Sequence, residues 1–131
     1  MTGKILIVDD DQDFAETIAL VIRKEGHEVQ NKYDTESAFQ SMQNKTPDLV
    51  LLDVMFPEDS SAGFELARIM RHENEKLKMV PILMLTAINA KFPLGFGPND
   101  ISSEWMPVTG FLEKPVDIDM LLKKIARILN K

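Results

Sequence analysis

A chain of 131 residues, 44% apolar and 27% charged, is long enough for one domain with a real core and has the balance of a folded protein rather than a disordered or fibrous one. Its formal net charge of −6 repels phosphate backbones and anionic lipid, so neither nucleic acid nor a membrane is an expected partner. The absence of cysteine excludes disulfides, thiolate metal sites and thiol nucleophiles; a start that runs straight into "GKILIVDDD", with no apolar run near the ~20 residues of a membrane helix, points to the cytoplasm.

Lys4 to Val8 is a short apolar run stopped by Asp9, Asp10 and Asp11, the pattern of a central strand buried on both faces. From Gln12 the period becomes helical: Phe14, Ile18, Val21 and Ile22 recur, an Asp stands ready as N-cap, and Gly26 follows as the residue past the end. "HEVQNK" reads as a second strand and Thr35 to Gln43, with Ala38, Phe39 and Met42, as a second helix. "PDLVLLD" repeats the first pattern and ends in Asp53, and "FELARIMRHE" follows as a helix with Phe64, Ala67 or Leu66, and Met70 inward. After Pro81, "ILMLTA" is a fourth buried strand ending around Thr86, and "TGFLEKP" holds a short fifth that stops at Lys114 and Pro115. In the last helix Ile118, Leu121, Leu122, Ile125, Ile128 and Leu129 share one stripe, while Lys123, Lys124, Arg127 and Lys131 face water near the end that favours cations.

Strands alternating with helices imply right-handed crossovers and a parallel sheet covered on both faces, within a single domain spanning 1–131. One connection is irregular. Between the fourth and fifth strands "KFPLGFGPNDISSEWMP", residues 91–107, stands where a helix belongs, and Pro93, Gly95, Gly97 and Pro98 forbid a regular one. At most a short turn at Ala87 to Lys91 is expected.

In open α/β sheets the functional crevice lies beyond the carboxyl ends of the strands. Those ends carry Asp9, Asp10, Asp53, Thr86 and Lys114, charged or polar types that burial disfavours unless they are paired or bound to an ion. Three carboxylates and one ammonium on one cleft make physical sense around a hard, oxygen-liganded cation, Mg²⁺ (or Mn²⁺). Asp53, alone at the end of its strand, is best placed to attack phosphorus and form an acyl phosphate. Lys114, with the hydroxyl and amide around Thr86 and Ala87, can then bind the phosphoryl oxygens. Taken singly, each residue has a plainer reading: an Asp after a strand is often a cap, Thr86 a turn hydroxyl, Lys114 a solvated charge. Their order along four strand ends favours the constellation. Asp11 and Asp13 are left to capping and first-turn dipole effects.

"ILIVDDD", "PDLVLLDVMFP", "PILMLTA" and "GFLEKPVD" resemble, in that order, the receiver domain of two-component response regulators. The resemblance implies a flavodoxin-like doubly wound five-stranded parallel sheet in the order 2-1-3-4-5, here with its fourth helix short, irregular or replaced by a loop. It casts Asp53 as the phosphorylated residue, Asp9 and Asp10 as the acidic pair that positions the metal, and the main-chain carbonyl of Met55 as a further ligand. It casts Thr86 as a switch hydroxyl, Lys114 as the phosphate-binding lysine before a cis peptide to Pro115, and Phe111 as an aromatic switch, a role that competes with that of an ordinary buried strand residue. The implied protein is not an enzyme but a phosphoacceptor fed by a sensor histidine kinase or a histidine phosphotransfer protein. Without an output domain it would act through an unidentified downstream protein or as a relay, as a monomer or a phosphorylation-dependent dimer.

Several features depart from the family pattern. The loop after Pro57 is longer than usual; Met55 and Ile88 put apolar side chains where the attacking water is met; and Thr86 and Lys114 are more widely spaced than is customary. Phe92, Phe96 and Trp105 in the irregular stretch either fold back over apolar sheet surface or form a segment ordered by phosphorylation or a partner. A phosphorylation-independent binding module and an aspartyl-phosphate phosphatase are the alternatives. The second lacks the Thr that its DxDxT pattern requires after the first strand.

Overall fold

A computed structural model describes residues 3–53, 62–72, 75–87 and 110–129. The 91–107 stretch with Phe92, Phe96 and Trp105, the loop after Pro57, and Met55 and Ile88 all lie outside the described residues.

Five strands form one parallel sheet: β1 (Lys4–Val8), β2 (Glu28–Lys32), β3 (Leu49–Asp53), β4 (Ile82–Ala87) and β5 (Gly110–Lys114), in the order β2-β1-β3-β4-β5. This is the order expected from the resemblance. Four helices are described, α1 (Gln12–Lys24), α2 (Thr35–Asn44), α3 (Ala62–His72) and α4 (Ile118–Leu129).

The continuous apolar strands are explained by what covers each side of the sheet. Side chains alternate along a strand, so odd and even positions feed different layers. Ile5 and Ile7 of β1, Leu49 and Leu51 of β3, and Leu83 and Leu85 of β4 pack with Ile18 and Ile22 of α1 and Leu121 and Ile125 of α4. Leu6 and Val8, Val50 and Leu52, and Ile82 and Met84 pack on the other side with Ala38 and Met42 of α2 and Phe64, Ala67 and Met70 of α3. A strand polar on one face would leave one of these layers unfilled. β3 is accordingly buried at all five positions.

The helices begin and end where local chemistry says they should. Asp11 caps α1 by accepting a bond from the Phe14 amide, Asp13 lies in the first turn, and Asp34 caps α2 through the Ser37 amide. Gly26, past the end of α1, has φ of 95°, a region closed to most other residues. The buried seam of α1 differs from the expected stripe. It runs through Ala15, Ile18, Ala19 and Ile22, and Phe14 and Val21 are only half-buried at its margin. Alanines weigh little in a hydrophobic pattern, yet their small side chains let the helix lie close to the sheet.

Candidate functional site

The parallel strands all point the same way, so their carboxyl ends gather at one edge. Val8 lies opposite Leu52, and Asp9 and Asp53 are the next residue on each of these neighbouring central strands. Both are buried, at 0% and 5% exposure. Asp9 extends the ladder by one bond, its amide donating to the Lys32 carbonyl at 3.1 Å. Its Oδ1 accepts from the Asp11 amide at 2.9 Å, and Asp11 in turn accepts from Phe14 at 3.1 Å. The acidic run is thus divided by role: Asp9 turns in, Asp11 caps the helix, and Asp10 between them is less buried than Asp9. Each of Asp9, Asp10 and Asp53 places a carboxylate oxygen within 4.8 Å of the others.

Lys114 arrives from the edge strand β5, where it pairs with Ala87 of β4. Its Nζ lies 2.7 Å from Asp9 Oδ2 and 3.5 Å from Asp53 Oδ1, with its side chain 21% exposed. The sequence assigns Lys114 to a phosphoryl group; its nearest partner here is Asp9. The same nitrogen lies 4.4 Å from the centroid of the Phe14 ring. The Lys114–Pro115 peptide bond is cis.

Burial pushes the Asp9 carboxyl up from its ordinary value, and this outweighs the opposing pull of Lys114 and of the Asp11 amide. For Lys114 burial alone would favour the neutral amine. The hydrogen bond to Asp9 and the charges of Asp53 and Asp9 prevail, and its value is raised. Burial thus works against the charged form of both groups, and at Lys114 the neighbouring carboxylates outweigh it.

Thr86 is buried one step beyond the Leu85–Asp53 pair. Its parity along β4 is that of Ile82 and Met84, which pack in the α2–α3 layer, whereas Asp53 has the parity of Leu51, which packs in the α1–α4 layer. Phe111 is half-buried against the α2–α3 layer as well. Ala87 ends β4 beside Lys114. Asp9, Asp10, Asp53 and Lys114 are thus brought together at the carboxyl edge with Ala87 beside Lys114, while Thr86 and Phe111 have the parity of the α2–α3 layer on their strands. The contact of Phe14 with Lys114 is not visible in the sequence, where Phe14 reads only as one residue of a helical apolar stripe.

The donor set fits a hard divalent cation. Three carboxylates converge, Lys114 contributes one positive charge against their three negative ones, and carboxylate oxygen is the ligand such ions prefer.

A doubly wound parallel sheet with an acidic pocket at its carboxyl edge, closed by a lysine, defines a flavodoxin-like α/β protein. Residues 5–126 match the response regulator receiver domain, and the chain belongs to that family. It is 33% identical, over a 132-residue alignment, to the phosphate regulon transcriptional regulatory protein PhoB of Pseudomonas aeruginosa, covering 100% of this chain and 54% of that protein. It is 32% identical over 127 residues to the CAI-1 autoinducer sensor kinase/phosphatase CqsS of Vibrio cholerae, covering 94% of this chain and 17% of that protein. The chain therefore corresponds to only part of either curated relative. Among solved structures, the chemotaxis response regulator CheY4 of Vibrio cholerae is similar with a TM-score of 0.80 and 28% identity, covering 98% of this chain and 100% of that one. Among the described residues no helix is long and apolar enough to cross a membrane.

Proposed function

We propose that this receiver accepts a phosphoryl group on Asp53 from a phosphohistidine of a sensor histidine kinase or a phosphotransfer protein. The observation that carries the reading is the placement of the Asp53 carboxylate at the end of a fully buried central strand, with Asp9, Asp10 and the Lys114 ammonium gathered around it.

In the transfer an Asp53 carboxylate oxygen attacks phosphorus, an O–P bond forms, and the P–N bond to the donor imidazole breaks. The electron pair leaves with the imidazole nitrogen. Asp9, Asp10 and Asp53, with the Met55 carbonyl, would hold Mg²⁺ (or Mn²⁺), which when bound supplies positive charge against the phosphoryl oxygens. Lys114 lies within reach of a group added to Asp53 and neutralises charge that develops there. The Ala87 amide is a further donor expected at that group, and the Thr86 hydroxyl, whose strand parity differs from that of Asp53, would have to turn over the end of β4 to join it. The phosphoryl group leaves the donor, resides on the chain's own Asp53 side chain and departs to water or to an onward acceptor, so we read the chain as a phosphoacceptor whose output passes through protein contact or onward relay.

Intact-mass measurement after incubation with phosphoramidate and Mg²⁺ tests this reading. One phosphoryl group should appear on the wild type and none on Asp53→Asn. A wild type that stays unmodified would leave a phosphorylation-independent binding module as the better account.

A further inference from the structure

Four contacts around the acidic pocket close into a circuit. The Asp11 amide holds Asp9 Oδ1 at 2.9 Å, the Phe14 amide is held by Asp11 at 3.1 Å, the Phe14 ring lies 4.4 Å from Lys114 Nζ, and Lys114 Nζ returns to Asp9 Oδ2 at 2.7 Å. The cap of α1 thus ties the Phe14 backbone to the same acidic turn whose Asp9 binds Lys114. A cation within ~6 Å of a ring centroid is attracted by the negative face of the π-system, most strongly where water is thinned.

An aromatic side chain is not required here by packing alone. Phe14 is half-buried at the margin of the α1–α4 layer, outside the fully buried seam, where an aliphatic residue would also pack. An ammonium has three donors, and its two carboxylate partners at 2.7 Å and 3.5 Å are both members of the acidic cluster. Any cation drawn to those carboxylates competes with Lys114 for Asp9. A ring face carries no such competition. It can keep the ammonium beside Asp53 while Asp9 is engaged elsewhere.

We propose that Phe14 is a positioning residue for phosphoryl transfer, its ring face holding the Lys114 ammonium next to Asp53. This rests on the phosphoacceptor reading given above. The measurement is the rate at which phosphoramidate with Mg²⁺ modifies Asp53 in the full chain, compared across three forms. Phe14→Leu should be slowed about three- to tenfold, the worth of one partly desolvated cation–π contact. Phe14→Trp should keep the rate. Pentafluorophenylalanine at position 14 retains the ring's shape but reverses its face charge, and it should be slowed like Phe14→Leu; it also serves where Phe14→Leu does not fold. In parallel, the ε-methylene protons of Lys114 should resonate upfield in the wild type through the ring current and lose that shift in Phe14→Leu.

Equal rates in wild type, Phe14→Leu and the fluorinated form would overturn the proposal. So would a Phe14→Trp variant as slow as Phe14→Leu, which would mark a purely structural role. If the wild type accepts no phosphate, the phosphoacceptor reading fails first. The proposed catalytic benefit of Phe14 falls with it, and the ring-current shift separately reports whether the ring holds the ammonium.

Discussion

Replacing Lys114 with Met would strip the buried cluster of its ammonium while keeping most of the side chain's volume. At an effective dielectric of ~20, charges 2.7 Å and 3.5 Å apart attract by about 6 and 5 kcal/mol. Desolvation of the three groups takes back much of that gain, and removing one partner of a buried pair costs about 3–5 kcal/mol. The Lys114 side chain is 21% exposed whereas that of Asp9 is 1% exposed, so the lower end, about 3 kcal/mol, is expected. For a domain of this size such a loss lowers the melting temperature by roughly 10 °C. Asp9 has an escape, because its raised carboxyl can take up a proton and shed the unpaired charge. The deficit of Lys114→Met should therefore be largest at neutral pH and shrink as the pH falls through the value at which Asp9 protonates. Thermal melts of wild type, Lys114→Met, Asp9→Asn and the double variant, at several pH values without divalent cations, form the cycle. The double variant should recover most of the loss. A deficit that is constant with pH, or unrelieved by Asp9→Asn, would refute the idea that Lys114 stabilises the fold through the Asp9 charge.

Other measurements bear on the same structure. Millimolar Mg²⁺ should raise the wild-type melting temperature, since an ion at a hundred times its dissociation constant adds about 2.7 kcal/mol; Asp9→Asn with Asp53→Asn should abolish the rise, seen by calorimetry. His27 accepts a bond from the Gly3 amide at its Nδ1 and is pushed down by burial. The stability it contributes is complete above its unfolded value and lost as the pH falls through that value toward the folded one. His27→Asn should therefore flatten the acid side of the stability profile. Asp11→Ala removes the α1 cap, which should cost about 1 kcal/mol in urea unfolding, and Asp11→Ser should recover most of it.

Local chemistry was the most readable part of the sequence. Asp11 as cap and Gly26 past the helix end follow from neighbours a few residues apart, and strands buried on both faces announce themselves as unbroken apolar runs. The gathering of Asp9, Asp10, Asp53 and Lys114 was also legible, because a parallel sheet sends every strand's carboxyl end to one edge. Pairings within that edge were not. Asp11 reads as the cap, but nothing in "DDD" separates Asp9, which turns inward, from the less buried Asp10, since that division depends on the Asp11 amide reaching back to Asp9. The seam of α1 through Ala15 and Ala19, rather than through Phe14 and Val21, is set by how closely the helix approaches the sheet. Phe14 then lies free of that seam, and only the folded distance to Lys114 shows what its ring can do.

The strand order has a further consequence for how the pocket comes apart. Its acids stand on β1 and β3, each flanked by a strand on both sides, while its base stands on β5, which among the described residues pairs only with β4. Edge strands exchange their amide protons through smaller openings than central ones. A fluctuation that frays β5 withdraws the ammonium and leaves the carboxylates in place. The pocket is therefore an acidic well on central strands with its cationic latch on an outer one, and opening the latch changes its electrostatic character without any unfolding of the centre of the sheet.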